Sequence, residues 1–416
     1  MVSRAGARRM RRAFIATLVA LFLTACAAEP PGYEGPFKQQ VRAAIPQLEE
    51  ASGLRFLRLP VLQTRSRDEV RSYLEQEFNA QLTPLELAGT QTAYRLLGLL
   101  PDTLELRTFL LDLLTEQVAG YYDPKTKVLY VVDDASSEMR DITITHELMH
   151  ALQDQHTDLA QIETLTGDND RMVAMQAVVE GQAVYEQLAV MMGGRDGEPQ
   201  IPGGWGRVRE MIREGQSSMP KFTAAPMLIQ ETLLFPYLSG AEFVRRVKRA
   251  RPGIAPFSPF AASTEQILHP ERYLDSLPDL PTRVTLGAPR TGTLLHEDNL
   301  GEFETRLLLF AHVNDEAAAV RGAAGWDGDR YQVIETSAGP ALAWVTVWDS
   351  ADEATEFAAL LRRAIEARHG AGIAARRITI ETVTVAGRPA VRYEDVPGAV
   401  RARELIGLDR VTLAVP

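Results

Sequence analysis

The 416-residue chain has a single cysteine, Cys26, so no internal disulfide can form. Neither internal repeats nor long low-complexity segments occur. Hydrophobic residues at 45% and charged residues at 24% are ordinary for a soluble globular protein. That balance excludes collagen-like, disordered and disulfide-scaffold classes. Positive charge is in short supply, with 44 Lys+Arg against 55 Asp+Glu and a net of −11. Five of those cations, Arg4, Arg8, Arg9, Arg11 and Arg12, lie in the first twelve residues, and without them the charge falls by five to −16. A surface that acidic repels phosphate backbones, so no nucleic-acid partner is expected.

What is present begins at the N-terminus. The arginines precede an apolar run, Ala13–Leu23, too short for a membrane helix of about 20 residues. A basic region, a short apolar region and small residues at the break predict a signal peptide over 1–25. Leu23-Thr24-Ala25-Cys26 resembles the lipobox of bacterial lipoproteins. The resemblance implies that Cys26 is lipidated and anchors the mature protein to a membrane of the cell envelope. Ala27 is not the aspartate that retains Gram-negative lipoproteins in the inner membrane, which implies the outer membrane there. Residues 26–36 are rich in Pro and Gly and read as a flexible tether.

From 37 to 289 the pattern is mostly helical, with one strand-like run at 54–63. Helices are expected over 37–50, 69–78, 84–99, 103–117, 137–155, 170–192, 205–215, 227–234 and 240–249. Tyr121 and Tyr122, the turn Asp123-Pro124-Lys125-Thr126, and Val128–Val132 predict a β-hairpin. Pro-rich segments at 251–259 and 278–292 suggest a boundary, after which 290–416 reads as a smaller α+β module. Its strands are expected at 331–335, 341–348, 378–385, 390–394, 400–406 and 410–415, around a helix at 351–368. The expected fold class is α+β, a largely helical domain with a small edge-strand sheet plus the C-terminal module.

The chemistry concentrates in His146-Glu147-Leu148-Met149-His150. Residues i and i+4 share one helix face, so both imidazoles can reach one Zn²⁺ ion. Glu147 lies beside the first ligand, where a carboxylate can act as general base. Ile142, Ile144, Leu148, Ala151 and Leu152 give this helix an apolar side that should be buried. The hairpin just upstream would supply an edge strand, which can pair with an extended peptide.

Val-Leu-Tyr-Val-Val followed by an HExxH helix resembles the core of the zincin metallopeptidases. More narrowly, residues 146–156, Gly120–Pro124, Glu180-Gly181-x-Ala183 and Ser263–Pro270 resemble a group of uncharacterised bacterial and archaeal metallopeptidase-like proteins. The resemblance covers roughly residues 90–275 and implies a zinc site and a peptidase. In thermolysin-like zincins a histidine or tyrosine outside the metal shell donates to the oxyanion. His269 and Tyr237 are the candidates here.

Two residues could complete the metal site. His156 stands at the metzincin offset, but Gln153 replaces the glycine that breaks the helix there, and a continued helix would carry His156 off the zinc face. Glu180 sits midway along an apolar helix, where a carboxylate needs a charge partner. Small Gly181 and Ala183 would let two helices approach, and the arrangement resembles the gluzincins, although no acid stands at Ala183 or Val184. The expectation is therefore an envelope-anchored zinc peptidase with ligands His146, His150 and Glu180, acting on polypeptide. Rival readings are a zinc-binding lipoprotein with weak or no catalysis and a small-molecule zinc hydrolase.

Overall fold

The computed structural model describes residues 32–81, 83–192, 199, 201, 205–217, 219–370 and 375–415. The expected signal peptide, Cys26 and the tether up to residue 31 lie outside the described residues. The fold is α+β. It runs α1 (Lys38–Ser52), β1 (Val61–Arg65), α2 (Arg67–Gln81), α3 (Pro84–Leu96), α4 (Leu106–Gln117), β2 (Gly120–Asp123) and β3 (Val128–Val132). Next come α5 (Ser137–Gln153), α6 (Asn169–Met191), α7 (Trp205–Ser217), α8 (Pro220–Thr223), α9 (Met227–Ala250), α10 (Thr264–Leu268), α11 (Pro270–Leu274) and β4 (Arg283–Thr285). The remainder is β5 (Thr293–Asp298), α12 (Gly301–Val313), α13 (Glu316–Ala323), β6 (Trp326–Thr336), β7 (Gly339–Trp348), α14 (Ala351–His369), β8 (Arg376–Val385), β9 (Arg388–Pro397) and β10 (Thr412–Ala414). No helix among the described residues is long and apolar enough to cross a membrane.

The hairpin forms as its turn chemistry predicts. Asp123 Oδ1 accepts from Lys125 N at 2.9 Å and its Oδ2 from Thr126 Oγ1 at 2.7 Å, closing the loop between β2 and β3. The strand-like run at 54–63 contributes only its end: β1 starts at Val61 and pairs in parallel with β3. The sheet order is β1-β3-β2, so antiparallel β2 is an edge. Leu62, Leu129 and Val131 on one face bury against α1 and α5 in a core with Leu48, Ile144, Leu148 and Leu152. That packing fixes the HExxH helix to the sheet.

Several expectations change. Residues 227–250 are one helix despite Pro236 in its interior, because its buried face of Leu228, Phe235, Phe243 and Val244 outweighs the broken hydrogen bond. Residues 400–406 form no strand. The last part of the tether is docked rather than loose: Tyr33 is buried with Val41 and Leu48, and Arg42 Nε donates to its carbonyl at 2.9 Å.

Residues Tyr33–Pro416 make one compact unit. The C-terminal part is a five-stranded antiparallel sheet, order β5-β6-β7-β9-β8, covered by α14 on one face. Its core is not separate from the helices before residue 290. One hydrophobic cluster joins Ala177, Phe235 and Phe243 to Phe303, Leu308, Trp344 and Phe357, and the Phe235 and Phe303 rings stack at 4.0 Å. A chain ending near Pro289 would expose that cluster.

Candidate metal centre

Helix α5 is started by Ser136, whose Oγ accepts from Met139 N. From Thr143 to Gln153 it is buried except for Thr145 and His146, which are partly exposed. The His146 and His150 rings stand edge to face with centroids 4.8 Å apart. Facing them across the α5–α6 contact is Glu180, whose Oε2 lies 3.1 Å from His146 Nε2 and 3.4 Å from His150 Nε2. The three residues offer one ligand atom each within 4.8 Å of one another. Two imidazole nitrogens and one carboxylate oxygen form a donor set that suits zinc and leaves a fourth position open. A bound cation would also relieve the burial cost of Glu180, so the residues fit the group.

The electrostatics follow from that closeness. Burial opposes charge on both partners, yet Glu180's charge pushes His150 up to about 9, and the two histidines hold Glu180 well below the usual carboxylate range. Glu147 is only 8% exposed, and burial pushes its carboxyl up, against the pull of both histidines. The backbone N–H of Tyr122 on edge strand β2 favours the charged form of the Glu147 carboxylate. The candidate base thus sits between the metal ligands and a strand edge.

Tyr237 comes to the site from α9. Its ring centroid is 6.1 Å from that of His146, and the nearby Glu180 charge holds the phenol well above its ordinary pKa. Helices α6 and α9 cross backbone to backbone to bring it there. A Cβ on Gly181 would lie 2.2 Å from the Gly240 carbonyl carbon, and one on Gly240 would lie 2.0 Å from Ala177 O. Gly181 therefore serves the α6–α9 crossing, while Ala183 packs with Ile144 and Leu148 of α5.

Two candidates fall elsewhere. His269 Nε2 pairs with buried Glu302 at 3.0 Å. Its neighbour Thr264 donates from N and Oγ1 to Asp170, at the start of α6. Ten residues of helix, about 15 Å, separate Asp170 from Glu180. His269 is thus a structural residue, correcting the expectation of an oxyanion donor there. His156 is exposed, with Nε2 2.8 Å from Arg55 O. The helix does stop before it, at Gln153, so the reason given for rejecting it does not hold; the turn simply aims it away.

Sequence reasoning missed Gln153 and Tyr122. Gln153 Oε1 meets His150 Nδ1 at 2.9 Å, and the signal was its position three residues after His150 on the same face. Tyr122 acts through its backbone, which no side-chain pattern reveals. A second group with ligand-like spacing, Glu265, Asp279 and Asp349, closes around Arg272 Nη1, which is 3.1 Å from Glu265 and 3.0 Å from Asp349. Its cation is already the arginine.

A family model described as a domain of unknown function (DUF8575) matches residues 290–404, outside the metal-site helices. No curated protein and no solved structure matches the chain.

Proposed function

We propose that the chain is a zinc-dependent peptidase of the bacterial cell envelope, anchored through lipidated Cys26. The carrying observation is the convergence of His146 Nε2, His150 Nε2 and Glu180 Oε2 beside buried Glu147. Three protein donors argue for catalysis, because a structural zinc site fills all four positions with protein ligands. Bound zinc supplies Lewis acidity and lowers the pKa of water. Glu147 takes the proton as the water oxygen bonds to the peptide carbonyl carbon, then passes it to the nitrogen as the C–N bond breaks. The products are a carboxylate and an amine. A carboxyl pushed up by burial suits a group that must be base and then acid. Tyr237 is the neutral donor for the developing oxyanion. Edge strand β2 near Glu147 favours an extended polypeptide as substrate.

Zinc analysis of the full chain with a peptide-library cleavage assay tests this reading. Glu147→Gln should keep one zinc per chain and lose about 10²–10⁴-fold in hydrolysis. A zinc-free wild type, or a zinc-loaded Glu147→Gln protein that still cleaves, would overturn it. Stoichiometric zinc with no cleavage by the wild type would favour a binding role in envelope assembly. For the anchor, Cys26→Ala should release the protein from the membrane fraction, and unchanged membrane association would refute lipidation at that residue.

A further inference from the structure

We propose that Gln153 is a positioning residue for the metal centre: its buried amide holds His150 as the Nδ1–H tautomer, leaving the Nε2 lone pair directed at the metal position. The inference rests on the metal reading above and concerns which nitrogen keeps its proton when the ring gives up the other to bind metal.

A neutral imidazole carries its proton on either nitrogen, and a metal can use only the bare one. The ring's partner decides. His150 Nδ1 lies 2.9 Å from Gln153 Oε1. An amide can be turned end for end, so its orientation has to be argued from what else it touches. Gln153 Nε2 is 3.0 Å from Val179 O, a backbone carbonyl that can only accept. Turning the amide would set oxygen against oxygen in a fully buried position. Oε1 therefore faces the ring, and His150 Nδ1 must donate to it.

The neighbouring groups point the same way. Gln153 Nε2 also donates to Gln182 Oε1 at 3.0 Å, and the Gln182 amide approaches the carboxylate of Glu186 one turn further along α6. Glu186 is buried and accepts from Lys248 Nζ, which has protons and no lone pair. These neighbours are compatible with the amide orientation that Val179 O fixes. Val179 and Gln182 flank Glu180 on α6, so the same amide ties the second histidine to the segment bearing the carboxylate ligand. It does so without adding charge, where many zinc sites use a carboxylate.

The test is histidine-selective ¹⁵N NMR on the zinc-loaded full chain, with chelator-competition affinities. In the wild type, His150 should show a protonated, slowly exchanging Nδ1 and a metal-bound Nε2. A protonated Nε2 with Nδ1 on the metal would overturn the proposal without any variant. Gln153→Leu should weaken zinc binding by about 10–100-fold and speed exchange of the Nδ1 proton. Gln182→Leu, which keeps the Val179 anchor, should cost less than Gln153→Leu. Equal zinc affinity and unchanged exchange in a folded Gln153→Leu protein would refute the role. If the wild type binds no zinc, the metal reading fails alone: once the spectra show the free His150 ring to be neutral, it should still be the Nδ1–H tautomer, and the opposite tautomer would refute this proposal too.

Discussion

At the scale of single residues, the centre is a balance of charge in which Glu147, His150, Glu180 and Tyr237 are shifted by burial and by their neighbours. Tyr237 illustrates it. Glu180's charge makes the phenol harder to ionise, which favours the neutral donor. Removing one oxyanion donor costs about 10²–10³ in kcat. Tyr237→Phe should show that loss at saturating zinc with KM little changed, since the ring and its packing remain. A kcat within a few fold of wild type would assign Tyr237 to holding Glu180 instead. His146, Glu147 and His150 were legible in the sequence because one helix supplies all three, and helical spacing is a local rule. His269 misled because its motif is real but structural: Ser263 Oγ caps α10, Thr264 binds Asp170, and the histidine binds Glu302.

At the scale of elements, the site depends on how closely α6 and α9 cross. Gly181 and Gly240 have no room for a Cβ, and the obstacle in each case is main chain, which cannot swing aside. Gly181→Ala should therefore force the helices apart, at about 1–3 kcal/mol for overpacking. Because Glu180 and Tyr237 sit on the two separated helices, zinc affinity should fall with the melting temperature. A variant with wild-type zinc affinity but a lowered melting point would show that the ligands tolerate the displacement. Glu180 could be singled out in the sequence as a carboxylate in an apolar helix. What the glycine beside it faced could not, since Gly181 and Gly240 are 59 residues apart in the chain. Helix α9 was read as two pieces for a related reason: Pro236 signals a break locally, and only tertiary burial of both halves overrides it.

At the scale of the whole molecule, the decisive feature is the joint between the helices before residue 290 and the sheet after it. Helix α6 has no side-chain cap of its own. Its first amides are capped from the far segment, Asn169 N by Asp298 and Asp170 N by Asn299, each at 2.9 Å. Composition marked a boundary there, but it could not show that the helix bearing Glu180 begins on residues from the other side. The joint is also rich in buried acids. Burial pushes Glu304 up to about 8, against an ordinary 4.5, although Tyr94 and Asn169 donate to it, and Asp170 rises to about 8 as well. Between about pH 4.5 and 8 the folded chain therefore holds protons that the unfolded chain has released. Stability contributed by a raised pKa is full below the unfolded value and lost as pH climbs through the folded one. Chelator-treated protein should accordingly lose stability in denaturant titrations from pH 5 to pH 8.5. Glu304→Gln keeps an acceptor for Tyr94 and cannot ionise, so its curve should be flatter: close to wild type at pH 5 and relatively more stable at pH 8.5. Parallel curves for the two proteins would mean that Glu304 is ionised throughout, held by its two donors against the cost of burial.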